Sequence, residues 1–394
     1  MHHAEYILIK THAGLEDVLE NELAEWQIPV NEKGLRCVFV PYQKEYVYRC
    51  NMFLRTALRV LVPVHDFTAE DTDEIYVQAL RIKWEEYFPV TRTFAIDFSG
   101  MSDTFTHLRF ASLRLKDAIC DRFRNKRGSR PDIDRHYPDV LINLHVNGNK
   151  ISISMDTSGE SLHIRNSRRA QNVAPLNEVL AAGLIRLTGW DKQSEFVDGM
   201  CGSGTFAMEA LGMASNSAPC LFRSHYGFKK LPDYDATLYE NLMKEAEEKV
   251  TEIDFPIRAN DIFPPAVGKA RRNIQALPQG NKVQFTTSDF KAMRPQTDSG
   301  VILLNPPYGG RIRSADIEGL YAQIGSVLKH NWPGFKCGLI SSDIQALHAV
   351  GLRQKINRTV FNGALECKFR VYDLYAGSKR TPPENENPRS SSTN

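Results

Sequence analysis

The chain has 394 residues, of which 42% are hydrophobic and 24% charged, the balance of a soluble globular protein with material for two or three domains. Forty-nine Lys and Arg stand against 47 Asp and Glu. The resulting net charge of +2 excludes a polycation, so any nucleic-acid surface has to be a local patch. The seven cysteines, Cys37, Cys50, Cys120, Cys201, Cys220, Cys337 and Cys367, are scattered and form no Cys-x-x-Cys pair. That argues against a zinc or iron–sulfur site and fits reduced thiols in a cytoplasm. His2 and His3 lack further ligating partners, so no metal is expected. No run approaches the length of a membrane span, and the N-terminus lacks a signal peptide's apolar core. A monomer is expected.

Tyr6–Lys10 alternates as a short strand. Leu15, Val18, Leu19 and Leu23 then recur at helical spacing through Trp26. Cys37–Val40 predicts a second strand and Val47–Leu58 a second helix, which makes residues 1–60 a small α+β unit. A second unit starts near Val62 and reaches residue 157. It has helices over Ile75–Tyr87 and Phe110–Arg124, and a strand over Thr93–Phe98. Val140–Val146 and Lys150–Met155 alternate around Asn147-Gly148-Asn149, a hairpin signal. Between Arg109 and Arg135 lie nine basic residues and four acids. Such a run serves equally as a phosphate-binding surface or as a solvated helix face with internal ion pairs.

Residues 158–174 are polar and basic and predict a linker. Pro175 is placed to open a helix over Leu176–Leu187, which Gly189 ends. Strand and helix then alternate, the pattern of a doubly wound parallel sheet. The predicted strands are Glu195–Met200, Pro256–Asn260, Val283–Thr287, Val301–Asn305 and Lys336–Ser341. An antiparallel pair, Val360–Asn362 and Lys368–Leu374, follows. Residues 377–394 carry nothing to bury and predict a disordered tail.

The chemistry gathers where these strands end. The first runs into Asp198-Gly199-Met200-Cys201-Gly202-Ser203-Gly204-Thr205, a glycine-rich turn whose backbone N–H groups can approach a ligand closely. No Lys-[Ser/Thr] follows, so it is not a phosphate-clamping P-loop. A Cys201 nucleophile has no base placed by the sequence to support it. The second strand ends at Asp261-Ile262, where a carboxylate can accept both hydroxyls of a ribose. The third ends at Asp289-Phe290, a carboxylate and a ring suited to an adenine. Singly, each Asp is more often a cap or turn residue. The fourth ends at Asn305-Pro306-Pro307-Tyr308, a rigid turn whose amide, carbonyls and ring can grip a flat, amine-bearing ring. Alone it would read as a loop. In this order the four elements share one edge of the sheet, the edge at which such folds bind ligands.

This quartet resembles the class I S-adenosylmethionine-dependent methyltransferases that methylate amines. Asp-Gly-Met-Cys-Gly-Ser-Gly-Thr-Phe with the later Asn-Pro-Pro-Tyr-Gly is similar to the branch joined to an N-terminal THUMP domain. Arg-Pro-Asp-Ile-Asp, Asp-Thr-Ser-Gly-Glu-Ser-Leu-His and Ala-Pro-Leu-Asn-Glu-Val-Leu-Ala carry the same likeness, which extends to about residue 376. Within that branch the chain resembles bacterial large-subunit ribosomal RNA guanine-N2 methyltransferases. The resemblance implies a ferredoxin-like unit over 1–60, a THUMP RNA-binding domain over 61–157 and a methyltransferase domain over 175–376. The latter is expected to be a seven-stranded Rossmann-like α/β sheet, mostly parallel with the last strand antiparallel. Some relatives carry a second methyltransferase domain, and this chain ends before one would fit.

The cofactor implied is S-adenosylmethionine, held by Pro175, Asp198, Gly199, Cys201, Gly202, Ser203, Gly204, Thr205, Asp261, Ile262, Asp289, Phe290 and Asn305. Asn305 and the Pro306 carbonyl would accept the two N–H bonds of the target amine, with Pro307 and Tyr308 completing the catalytic turn and Tyr308 stacking on an extruded base. Ribosomal RNA or its precursor particle is the expected partner. Its phosphates would meet Arg122, Arg124, Lys126, Arg127 and Arg130, with Arg165 and Arg168 from the linker. Where relatives read His-Lys-Arg-Gly-Tyr-Arg, this linker has His163-Ile164-Arg165-Asn166-Ser167-Arg168. The same motif serves any exocyclic amine, so a transfer-RNA guanine-N2 or an adenine-N6 methyltransferase stays open. So does an RNA-binding assembly factor without activity.

Overall fold

The computed structural model describes residues 4–105, 107–165, 176–307 and 317–376. The N-terminal half contains β1 (Tyr6–Lys10), α1 (Glu16–Glu25), β2 (Glu32–Gly34), β3 (Cys37–Pro41), α2 (Lys44–Phe53) and β4 (Arg59–Thr68). Next come α3 (Thr72–Arg81), β5 (Phe94–Met101), α4 (Leu108–Arg127), β6 (Val140–Asn147) and β7 (Lys150–Asp156). All seven strands join one sheet in the order β2-β3-β1-β4-β7-β6-β5. Its centre is β4: Leu61 lies opposite Leu8 on one side and Asp156 on the other. The break expected between residues 60 and 61 therefore falls inside a strand that both units share. Val60, Leu61 and Val62 are buried in succession, as a central strand requires. Pro63 has no N–H for the ladder, and the pairing slips between Pro63 and His65.

The C-terminal half contains α5 (Glu178–Leu187), β8 (Glu195–Asp198), α6 (Thr205–Ala214), α7 (Ala236–Glu248), β9 (Ile257–Asp261), α8 (Pro264–Gln275) and β10 (Val283–Thr287). It continues through β11 (Gly300–Leu304), α9 (Ile317–Asn331), β12 (Phe335–Ser341), α10 (Ile344–Ala349), β13 (Ile356–Asn362) and β14 (Leu365–Asp373). The sheet order is β10-β9-β8-β11-β12-β14-β13. β14 alone runs against the direction of the other six strands, so the expected seven-stranded Rossmann-like α/β sheet is present. Every residue of β8 and β11 is buried, as covered parallel strands demand. Helix α5 begins at Glu178, later than expected. Asn177 caps it by accepting the N–H groups of Val179 and Leu180 at 3.0 and 3.2 Å, a stronger start signal than the proline before it. Pro175 lies outside the described residues.

The two halves are joined by buried polar contacts. Glu22 accepts the N–H groups of Arg55 and Thr56 and pairs with Arg186 at 3.0 Å. Arg55 and Arg165 share Glu209 of α6, at 3.1 and 3.3 Å. Residues 158–164, expected as part of a basic linker, are held by the Arg223 guanidinium. It donates to the carbonyls of Ser158, Glu160, Ser161 and Ile164, and to that of His225. Leu242 and Ala246 of α7 enter the same apolar core as Val47 and Phe53 of α2. The linker is thus built into the fold as far as Arg165.

Candidate active site

Strands β8 and β11 are neighbours, but the chain leaves β8 toward β9 and β10 and returns through β11 to the other side. That reversal opens a crevice at their carboxyl ends, the place where doubly wound sheets bind ligands. Asp198 ends β8 opposite Leu303, and Asn305 follows the last residue of β11. On the far side, Thr287 of β10 pairs with Asp261 of β9. Four sequence-expected elements therefore stand side by side along one edge.

The glycine turn is fixed by backbone bonds to the neighbouring strands. Gly199 N–H donates to the Leu303 carbonyl at 3.0 Å, and Cys201 N–H to the Asn260 carbonyl at 2.8 Å. A Cβ on Gly199 would lie 2.6 Å from Leu304 Cδ2, so a larger residue here would have to push the buried Leu304 side chain aside. Gly202 and Gly204 have φ of 54° and 84°, the left-handed region that favours glycine. Asp261 grips the turn from the side: Oδ2 accepts Gly202 N–H and Oδ1 accepts Phe263 N–H, both at 2.9 Å. Each oxygen keeps a lone pair for a further donor. Beside it, Ile262 and Phe263 are 68% and 60% exposed, two apolar surfaces facing water next to a carboxylate.

Two acceptors at this edge are buried without a hydrogen-bond partner among the described residues, Asp198 Oδ1 and Asn305 Oδ1. The other Asp198 oxygen accepts Ala207 N–H at 3.2 Å. Burial pushes the Asp198 carboxyl up to about 8; the Ala207 bond opposes the shift, and the charge of Asp261 adds to it. Buried acceptors are almost always satisfied, so a pair of bare ones at a ligand edge marks a place for donors to arrive.

Several expected site residues contribute backbone only, or less. The side chains of Cys201, Ser203 and Thr205 are buried. Burial and the nearby charges of Asp198 and Asp261 push the Cys201 thiol far up, which removes it as a nucleophile. The Phe290 ring is corrected from ligand to core: it is 5% exposed and lies parallel to Trp332, centroids 6.3 Å apart. Asp289 caps the short 3₁₀ turn that follows, accepting Lys291 N–H at 2.9 Å. Pro306 and Pro307 continue from Asn305, whereas Tyr308 lies outside the described residues.

Sequence reasoning passed over Asn260. Its amide donates to the Gly199 and Ser288 carbonyls at 3.2 and 3.1 Å, and its oxygen accepts Thr286 Oγ1 and Ser288 Oγ at 2.8 and 2.9 Å. One buried side chain on β9 thus ties together the loops after β8 and β10. Its signal was a polar residue just before the carboxyl end of a strand, next to Asp261. Asn273 was missed too; it donates to the Ser203 carbonyl at 3.1 Å and fixes the turn from α8.

The expected RNA-binding residues divide. Lys126, Arg127 and Arg130 are exposed, and Arg124 is exposed but pairs with Asp121 at 2.6 Å. Arg122 forms a two-pronged pair with Glu85, at 2.5 and 3.1 Å, and is committed within the fold. Arg165 is corrected outright: it is buried between Glu209 and the Arg55 carbonyl and has no face for RNA. Arg168 lies outside the described residues. Among the described residues no cluster of metal-ligating side chains occurs.

Comparison with known proteins agrees with this geometry. A THUMP domain model matches residues 69–156, and a model described as the RlmL ferredoxin-like domain matches residues 6–61. Over 373 residues the chain is 32% identical to the ribosomal RNA large subunit methyltransferase K/L of Shewanella frigidimarina, covering 93% of this chain and 52% of the relative. The corresponding protein of Psychromonas ingrahamii is 33% identical, with 93% and 50% covered. The chain therefore spans about half the length of the curated relatives it matches. Among solved structures, SMU.472 complexed with SAH superposes with a TM-score of 0.85 at 24% identity, covering 96% of this chain and 100% of that one. TrmN from Thermus thermophilus gives 0.68 at 19%, covering 94% and 99%. Both are likenesses of fold. The RMKL-like methyltransferase domain model matches residues 165–370, which include the glycine turn, Asp261 and Asn305, and the chain belongs to that family.

Proposed function

We propose that the chain transfers a methyl group from S-adenosylmethionine to the exocyclic N2 of a guanine in large-subunit ribosomal RNA, in the cytoplasm. The observation that carries this reading is the pair of bare buried acceptors, Asp198 Oδ1 and Asn305 Oδ1, on the two strands flanking the crevice. Family membership supplies the reaction class, and SMU.472, of the same fold, is complexed with SAH. The methyltransferase K/L relatives, named for the large subunit, support the choice of RNA. Guanine N2 rests on the motif resemblance.

When bound, S-adenosylmethionine supplies an electrophilic methyl on a sulfonium. The residues present fit it. Asp198 would take its ammonium, Asp261 the ribose hydroxyls, and Ile262 with Phe263 the faces of the adenine. Asn305 acts on the other reactant. The lone pair of an exocyclic amine is delocalised into its ring, which makes it a poor nucleophile. Asn305 Oδ1 and the Pro306 carbonyl accept its two N–H bonds and draw the nitrogen toward tetrahedral geometry. Tyr308, by the motif resemblance, would stack on the base. No strong general base is required, because the methylated nitrogen becomes acidic and loses its proton to water or a carbonyl. Positioning and electrostatics therefore provide most of the rate.

The test is transfer in vitro. The purified chain is incubated with methyl-labelled S-adenosylmethionine and protein-free large-subunit ribosomal RNA, and the RNA is digested to nucleosides. Label in N2-methylguanosine is expected. Label in another nucleoside would refute the base assignment, and no label would refute the activity.

A further inference from the structure

A deep cleft lies outside the site above. It encloses about 920 Å³, and none of the residues lining it belongs to the crevice at the β8 and β11 ends. Strand β5, the edge of the N-terminal sheet, forms one side. Arg109, Ser112, Leu113 and Lys116 line the next; their spacing of three, four and seven places them on one face of α4. The loop Ile133–Asp139 makes the rim, and the segment Ser224–Lys230 of the methyltransferase half closes it from across the junction.

Two features define what the cleft would take. The first is charge. Lys116 pairs with Asp117, Lys230 with Asp139, and Arg59 with Asp156. Arg109, Arg135 and Lys229 have no carboxylate partner among the described residues, and Lys229 instead lies 3.7 Å from the centre of the Tyr239 ring. The second is exposed apolar surface. Tyr137 is 82% exposed, Ile133 42% and Phe98 39%, all lining the same cleft. Unpaired cations beside exposed rings are the combination by which proteins hold single-stranded nucleic acid: cations track the phosphates while bases stack on the rings. The volume is at the upper end of the range for small ligands, about 300–1,000 Å³. A duplex presents its backbone over a long, shallow surface and has no small convex part to enter such a cleft.

We infer that this cleft binds an unpaired stretch of the substrate RNA, with Tyr137 as the stacking platform and Arg109 and Arg135 on its phosphates. The inference rests on the reading that the chain acts on RNA and goes beyond it. Strand selection would occur in the N-terminal half, apart from the amine-gripping turn, and would favour single strands. The site is built from both halves, so the buried junction that fixes their relative placement also fixes the cleft. The C-terminal end of α4, with Lys126 and Arg127, would be an accessory surface and not the principal grip.

The experiment is fluorescence anisotropy with a labelled, unstructured RNA oligonucleotide of about ten nucleotides, within the site size of such platforms. A duplex of the same sequence is the control. The wild-type chain should prefer the single strand. Tyr137→Ala should weaken that binding about tenfold, with thermal unfolding unchanged because the ring is exposed. Arg109→Ala combined with Arg135→Ala should lower the slope of log affinity against log salt by about 0.7 for each cation removed. Wild-type affinity in Tyr137→Ala with an unchanged salt slope in the double variant would overturn the inference, as would preference for the duplex. The measurement uses no cofactor. A chain that binds the oligonucleotide through Tyr137 but transfers no methyl contradicts the proposed activity alone. One that methylates RNA while Tyr137→Ala binds normally contradicts the cleft alone.

Discussion

Asp198→Asn tests the cofactor half of the account. The carboxyl titrates at about 8 because burial penalises its charge, so at pH 7 about nine-tenths of molecules carry it protonated. Pairing with an ammonium requires the ionised form. Each ligand bound at pH 7 must therefore expel about 0.9 proton from Asp198. The ligand's own amine, with an ordinary pKa of about 7.8, takes up roughly 0.1. Net release should be about 0.8 proton at pH 7, and affinity should fall about eightfold between pH 7 and pH 6. The assay is titration calorimetry of S-adenosylhomocysteine, which shares the amino-acid end and is not consumed, in buffers of differing ionisation enthalpy. In Asp198→Asn the proton release should vanish. Affinity should fall about 10- to 100-fold, the worth of a hydrogen bond to a charged group. Stability supplies an independent sign. A carboxyl whose folded pKa is raised contributes stability that is fully present below its unfolded value, near 4, and is lost as pH rises through about 8. The wild-type melting temperature should decline across that window relative to Asp198→Asn. Wild-type affinity in the variant, or binding without proton release, would refute the assignment.

Asn305→Ala should nearly abolish methyl transfer while leaving S-adenosylhomocysteine affinity within a few-fold of wild type; loss of both would mean that Asn305 serves the cofactor. Asn260→Ala strands the buried Gly199 and Ser288 carbonyls, and urea unfolding should show a loss of about 2–4 kcal/mol together with weaker cofactor binding. Arg165→Ala leaves Glu209 with Arg55 alone and should cost about 3–5 kcal/mol by the same measurement, with no change in the salt dependence of RNA binding. Replacing Arg124, Lys126 and Arg127 together by Ala should instead leave stability near wild type and flatten that salt dependence by up to about 0.7 per cation.

The C-terminal sheet was legible because its strands are short apolar runs that end in turn chemistry. Val301–Leu304 breaks at Asn305-Pro-Pro, and the run Phe196-Val197 breaks at Asp198-Gly199. The edge shared by the four motifs followed from their order alone. What could not be read was side-chain competition. Asp289 and Asp261 both follow a strand, yet one caps its own turn while the other reaches across to Gly202, a contact 59 residues away in sequence. Phe290 follows its Asp just as Ile262 does. It turns inward because Trp332 offers it a core partner, and Ile262 stays outside. Charge counting failed similarly at Arg122 and Arg165. Each lies in a basic run, but Glu85 and Glu209, distant in sequence, had already claimed them. The shared strand β4 hid the division of the N-terminal half, because no composition change marks a strand that belongs to two units.

The central claim is that Asn305 and the edge around it methylate the exocyclic amine of a guanine in large-subunit ribosomal RNA. Its most direct test is mass mapping of modified nucleosides in that RNA from cells with and without the protein. One N2-methylguanosine should be lost without it, restored by the wild-type chain and not by Asn305→Ala. An unchanged set of modified nucleosides, or a lost methyl on any other base or RNA, would contradict the account.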